Sequence, residues 1–202
     1  MRLITITTDT IFPKEALALN KLFEEGMPLL HLRKPWATEE DIKQLLLQIE
    51  DEYYDRIVLH DHFALTQTFP LKGVHLNRRN IDCPYNNLSS ISCSCHSLQC
   101  VKAFLENHNY IFLSPIFDSI SKQGYKQAFT HEQLVEAKKE SVINDKVIAL
   151  GGINKDTIPL VGQYGFGGVA VLGALWSDYV KDKNESTLIA RLKDLLSITK
   201  HI

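Results

Sequence analysis

Short runs rich in β-branched and aliphatic residues recur along the chain. They are Leu3–Thr8, Pro28–Arg33, Arg56–Asp61, Gly73–Leu76, Ser89–Ser94, Tyr110–Pro115, Lys146–Gly152 and Gly167–Gly173. Most of these eight runs lack strict alternation of polar and apolar positions, as parallel strands covered on both faces do. Between them the pattern turns helical over Glu39–Asp51, Leu98–Glu106, His131–Glu140, Lys155–Tyr164 and Ser186–Ile198. Thr38 with Asp41, and Thr130 with Gln133, have the spacing of a capping box. Ser97 and Asn154 are placed to cap the helices that follow them. Phe63–Pro70 leaves room for only about two helical turns.

Strand and helix alternating from end to end predict an α/β protein with a parallel sheet. Eight such units favour a closed (β/α)8 barrel, the TIM-barrel architecture, over an open doubly wound sheet. No glycine-rich dinucleotide fingerprint follows the first strand. The chain has 202 residues, and such a barrel can be made from about 200. A single domain over residues 1–202 is therefore expected.

Hydrophobic residues make up 45% and charged residues 23% of the chain, and the formal net charge is -2. That balance gives no reason to expect nucleic acid or a membrane surface as partner. It leaves room for a local basic site that takes a small anion. Met1–Thr5 runs straight into a strand pattern without the apolar run of a secretory signal. No apolar stretch reaches the length of a membrane span. A cytoplasmic protein is expected, with reduced thiols at Cys83, Cys93, Cys95 and Cys100.

In a barrel of this kind the active site lies at the C-terminal ends of the strands. His31 and Arg33 share one face of the second strand, which predicts an imidazole and a guanidinium at the rim. His60-Asp61-His62 ends the third strand, and His75 sits in the otherwise apolar fourth. Ser94 ends the fifth, with Cys95 and His96 beyond. The loop after the sixth strand carries Ser119, Ser121 and Lys122 beside Gly124, a composition suited to anion binding. Gly151 and Gly152 end the seventh strand, and Leu172 and Gly173 end the eighth. Loops after strands seven and eight frequently form a phosphate site in these barrels.

At these residues the chain resembles the thiamine phosphate synthase and TenI family over nearly its full length. His31-Leu32-Arg33 lies where the synthases carry Gln-x-Arg-x-Lys, and His60-Asp61 where they carry Asn-Asp. Gly73-Val74-His75-Leu76 matches Gly-Val-His-Leu, and Ser94–Ser97 matches Ser-x-His-Thr. Pro115-Ile116-Phe117 through Lys122 matches Pro-x-Phe followed by Thr-x-Thr-Lys. Ala149–Ile153 matches Ala-x-Gly-Gly-Ile. The resemblance implies coupling of hydroxymethylpyrimidine diphosphate to thiazole phosphate, with release of pyrophosphate and use of Mg2+. It gives Arg33 and Lys122 to the diphosphate, Asp61 to the metal and Ser94 to the leaving group. His75 would line the pyrimidine side, with His31, His60, Ser119 and Ser121 as further substrate-side residues. The thiazole phosphate goes to Gly151, Gly152, Leu172 and Gly173.

Several positions depart from the synthase pattern. Glutamine is replaced by His31, and the second basic position falls on Pro35, with Lys34 one step off. The second magnesium-binding acid falls on Asn80, next to Arg78 and Arg79, although Asp82 lies in the same loop. Three alternatives follow. His31 and Ser94–Ser97 resemble the TenI branch, which isomerises a thiazole carboxylate phosphate without metal. His60 with His62 would suit a metal-dependent hydrolase. A non-catalytic thiazole phosphate binder is the third. Barrels of this kind associate into homo-oligomers, but no sequence feature fixes an interface.

Overall fold

Parallel pairing carries the chain once round a closed barrel in sequence order, and the eighth strand returns to the first. The computed structural model describes residues 1–85, 88–118 and 127–202. The strands are β1 (Arg2–Ile6), β2 (Leu30–Leu32), β3 (Ile57–Leu59), β4 (Gly73–Leu76), β5 (Ser90–Cys95), β6 (Tyr110–Leu113), β7 (Val147–Leu150) and β8 (Gly168–Val171). All eight fall inside or within one residue of the runs expected from the sequence.

Alternate residues of each strand divide between two cores. Ile4, Ile6, Tyr110, Phe112, Ile148 and Ala170 pack inside the barrel. Leu3, Leu30, Leu32, Ile57, Leu59, Val74, Ile111, Leu113, Val147 and Val169 face outward and belong to the core shared with the helices. Both faces of the sheet are thus buried and mostly apolar, which is why the strands read as nearly continuous runs.

The helices are α1 (Glu15–Glu24), α2 (Glu39–Leu46), α3 (Leu98–Phe104), α4 (His131–Lys139), α5 (Ile158–Gln163), α6 (Gly173–Trp176), α7 (Tyr179–Asp182) and α8 (Glu185–Lys200). Both capping boxes form: Thr38 receives the Asp41 N–H and Thr130 the Gln133 N–H, while each partner side chain accepts from the cap backbone. Between β3 and β4 a 3-10 turn over Phe63–Gln67 replaces a full helix. Asn154 accepts the N–H groups of Asp156 and Thr157, and the helix itself begins later, at Ile158. Gly173, read as the end of a strand, opens α6 instead. The sequence pattern did not flag α1, which starts after Lys14 in a left-handed conformation without a side-chain cap.

Two features fix the loops that carry the site. Lys34 donates to Glu15 at 2.6 Å, with both side chains fully buried. Lys34 also donates to the Thr10 carbonyl, and Glu15 accepts the Phe12 N–H. This ties the loop after β1 to the loop after β2. Trp176 is buried and donates its indole N–H to the Ile6 carbonyl at 2.9 Å, docking α6 on β1.

The cysteines correct one expectation. Cys95, ending β5, and Cys100, in the first turn of α3, form a disulfide with Cα atoms 5.6 Å apart. Ser97 caps α3 immediately after the strand, which folds Cys100 back over Cys95. Cys83 and Cys93 are free, and burial pushes the Cys93 thiol up to about 11. Among the described residues no helix is long and apolar enough to cross a membrane.

Candidate functional site

A cavity of about 270 Å³ opens at the C-terminal rim of the barrel. Of the residues singled out from sequence, Arg33, Ser94, Gly151, Gly152, Leu172 and Gly173 line it. Arg33 is partly exposed and pairs with Asp9 from the loop after β1. Opposite, Gly151 and Gly152 have φ of 97° and 65°, which favour glycine. Added side-chain atoms at Gly151 would lie 2.8 Å from the Pro115 backbone. These turns therefore bring backbone close to the cavity without a side chain between. Among the described residues, the N–H groups of Gly152, Gly173 and Ala174 donate to no backbone carbonyl. They are the donors an anion needs.

The histidines correct the expectation of an imidazole at the rim. His31 lies one residue pair deeper than Arg33 along the same face and is fully buried, as is His75, while His60 is 4% exposed. Together they form a layer beneath the cavity, closed from below by Tyr110 and Phe112. His31 Nδ1 meets His60 Nε2 at 2.8 Å, and His31 Nε2 meets the Tyr110 hydroxyl at 2.6 Å. His75 stands between two serines, Ser92 at 2.9 Å and Ser94 at 2.7 Å. Burial holds His31 and His60 well below the usual histidine range and lowers His75 to about 3. The layer is therefore neutral at pH 7.

This layer does not make the metal site of a hydrolase. One nitrogen from each of the three rings lies within 4.8 Å of the other two. Hydrogen bonds already engage both nitrogens of His31, both of His75 and one of His60. His62, the other expected ligand, turns away and bonds the Ala37 carbonyl at 2.8 Å. Its parity with His60 is lost because His62 adopts a left-handed conformation, φ 55°.

Asp61 does not stand as a bare carboxylate. Arg79 donates to it from Nε at 3.1 Å and from Nη2 at 3.0 and 3.1 Å, and the Asn80 amide donates at 2.8 Å. A magnesium ion needs oxygen ligands and a carboxylate charge that is not already neutralised. Asp61 is spent on a guanidinium, Asn80 presents its NH2, and exposed Asp82 accepts its neighbour's N–H from Cys83. This donor set does not fit a divalent cation.

Lys34, buried against Glu15, supplies no charge to the cavity. Ser119, Ser121 and Lys122 lie outside the described residues. Sequence reasoning assigned no role to three residues that line the cavity: Arg78, Arg79 and His96. The basic pair follows Gly-Val-His-Leu after a single residue, Asn77, at a strand end, and that position was the signal to weigh. His96 Nδ1 meets the Ser114 carbonyl at 2.9 Å. A carbonyl only accepts, so Nδ1 is the donor in this contact.

Comparison with known proteins places the chain among relatives of the same fold. A solved structure described as thiamine phosphate pyrophosphorylase from Bacteroides thetaiotaomicron superposes with a TM-score of 0.89 at 42% identity, covering 99% of this chain and 98% of that one. Another so described, from Pyrococcus furiosus, gives a TM-score of 0.76 at 23% identity, over 99% and 96% of the two chains, and speaks for the fold alone. A thiamine-phosphate synthase of Lysinibacillus sphaericus is 25% identical over 180 residues, 84% of each chain. The family described as thiamine monophosphate synthase matches residues 3–175. With that match laid over the barrel and its rim, the chain belongs to the thiamine monophosphate synthase family.

Proposed function

We propose that this chain is a transferase that joins hydroxymethylpyrimidine diphosphate to thiazole phosphate. The C–O bond to the diphosphate breaks, the thiazole nitrogen forms the new C–N bond, and pyrophosphate leaves. One observation carries the reading: one rim cavity has guanidinium groups on one side and, on the other, backbone N–H groups that donate to no backbone carbonyl among the described residues. Two phosphorylated substrates need two such anion poles facing each other.

In this reading Arg33 and Lys122 hold the diphosphate, and Ser119 and Ser121 serve as further substrate contacts. Ser94, backed by His75, donates to the departing oxygen. Gly151, Gly152, Leu172 and Gly173 hold the thiazole phosphate through backbone donors. As the diphosphate ionises, negative charge grows on it and positive charge on the pyrimidine methylene. Donors fixed beforehand stabilise that separation. The layer of His31, His60 and His75 is uncharged, so it does not repel the cationic fragment above it.

The test is direct. Purified protein given both substrates should form thiamine phosphate, detected by oxidation to its fluorescent derivative. Arg33→Ala or Lys122→Ala should lower kcat/KM about a hundredfold or more. Absence of product both with magnesium and with chelator would overturn the reading.

A further inference from the structure

We infer that Arg79 takes the place of a divalent cation in this chain, so that the diphosphate group is bound by guanidinium groups without metal. The inference rests on the transferase reading only for the identity of the ligand. Its physical basis is the loop that follows β4.

That loop is built. Asn77 and Asn80 exchange backbone hydrogen bonds, N to O, at 2.8 and 3.0 Å. Both side-chain amides donate to the His60 carbonyl, at 2.8 and 3.0 Å, pinning the turn to the end of β3. The Asn77 side-chain oxygen accepts the Arg79 N–H at 3.0 Å. The turn therefore holds Arg78 and Arg79 at the rim before any ligand arrives.

Asp61 then orients the Arg79 side chain. Its carboxylate takes Nε and Nη2, which leaves Nη1 and its hydrogens for a ligand. Asp61 acts here as a positioning residue, and its charge is used in doing so. Among the described residues no carboxylate pairs with Arg78. Arg33, Arg78 and Arg79 line the same cavity as Ser94. Guanidinium groups stay charged, match phosphate oxygens with parallel donors, and shed water more readily than magnesium does.

Metal binding and guanidinium binding predict opposite effects of removing Arg79. If Asp61 were a metal ligand held in check by Arg79, Arg79→Gln would free it and strengthen metal-dependent binding. If Arg79 itself binds the anion, the same change removes the binding group.

The experiment titrates inorganic pyrophosphate into the purified protein by calorimetry, in EDTA and separately in excess magnesium. We expect binding in EDTA that Arg79→Gln weakens about tenfold or more, while its urea unfolding midpoint stays unchanged. Asp61→Asn should weaken binding in EDTA less than Arg79→Gln does. Arg79→Gln combined with Asn80→Asp should make binding magnesium-dependent. Binding seen only with magnesium, binding in EDTA indifferent to Arg79→Gln, or no binding in either buffer would each overturn the inference. Thiamine phosphate formation is assayed separately, so failure of the transferase reading leaves the pyrophosphate result interpretable.

Discussion

Mild acid should destabilise this barrel through its histidine layer. His75 has an ordinary value of 6.5 and is lowered to about 3 in the fold, mainly by burial. Below pH 6.5 the unfolded chain takes up a proton there and the folded chain does not. Stability is therefore present above pH 6.5 and is lost as pH falls from 6.5 toward 3. From pH 7 to pH 5 His75 alone removes about 2 kcal/mol. His31 and His60 shift in the same direction and for the same first cause. Each histidine that stays neutral in the fold adds about 1.4 kcal/mol per pH unit to the slope. Against a typical total of about 5–15 kcal/mol, loss on this scale is a substantial fraction of the stability of the fold. The assay is urea unfolding followed by circular dichroism at pH 7, 6 and 5 and constant ionic strength. His75→Gln retains an amide for Ser92 and Ser94 but cannot titrate. It should flatten the slope by about 1.4 kcal/mol per pH unit. An unchanged slope in that variant would show that His75 protonates within the fold, and the account of the layer would fail.

Further outcomes follow from other contacts. Lys34→Met leaves Glu15 buried without its cation and should cost about 3–5 kcal/mol in chemical unfolding. The double change with Glu15→Leu should recover part of that. Gly152→Ala forces a side chain onto φ 65° and within 2.6 Å of the Phe117 Cβ. It should raise KM for the thiazole phosphate about tenfold or more, because the cradle must move, while KM for the diphosphate substrate changes little. Trp176→Ala removes a fully buried indole and its bond to Ile6, and should cost about 3–5 kcal/mol, read as a fall in Tm.

The strands were legible because a parallel sheet covered on both faces writes itself as apolar runs with β-branched residues. The capped helices were legible because Thr38 and Thr130 carry their own start signals. Helix α1 was not, since Lys14 offers no side-chain cap and its turn is set by tertiary contacts of Glu15. Within the site, the rim glycines and Arg33 were found from strand-end position. Depth along the barrel axis was harder to read. Parity put His31 on the same face as Arg33, but same-face neighbours on a strand stand two residues apart and occupy successive layers. The partner of Asp61 was also hidden, because the Arg79–Asp61 pair joins residues 18 positions apart across two strand ends. The disulfide was missed because the local return of α3 onto β5 is a matter of geometry and not of cysteine spacing.

The imidazole of His75 carries one hydrogen and stands between two hydroxyls, so their orientations are linked. When the ring hydrogen is on the side of Ser94, that serine receives it and turns its own hydrogen outward. When the ring hydrogen is on the side of Ser92, Ser94 gives its hydrogen inward and shows only lone pairs outside. No heavy atom moves between the two arrangements. A tautomer exchange deep in the barrel thus decides whether the rim offers a proton or an electron pair to whatever rests upon it.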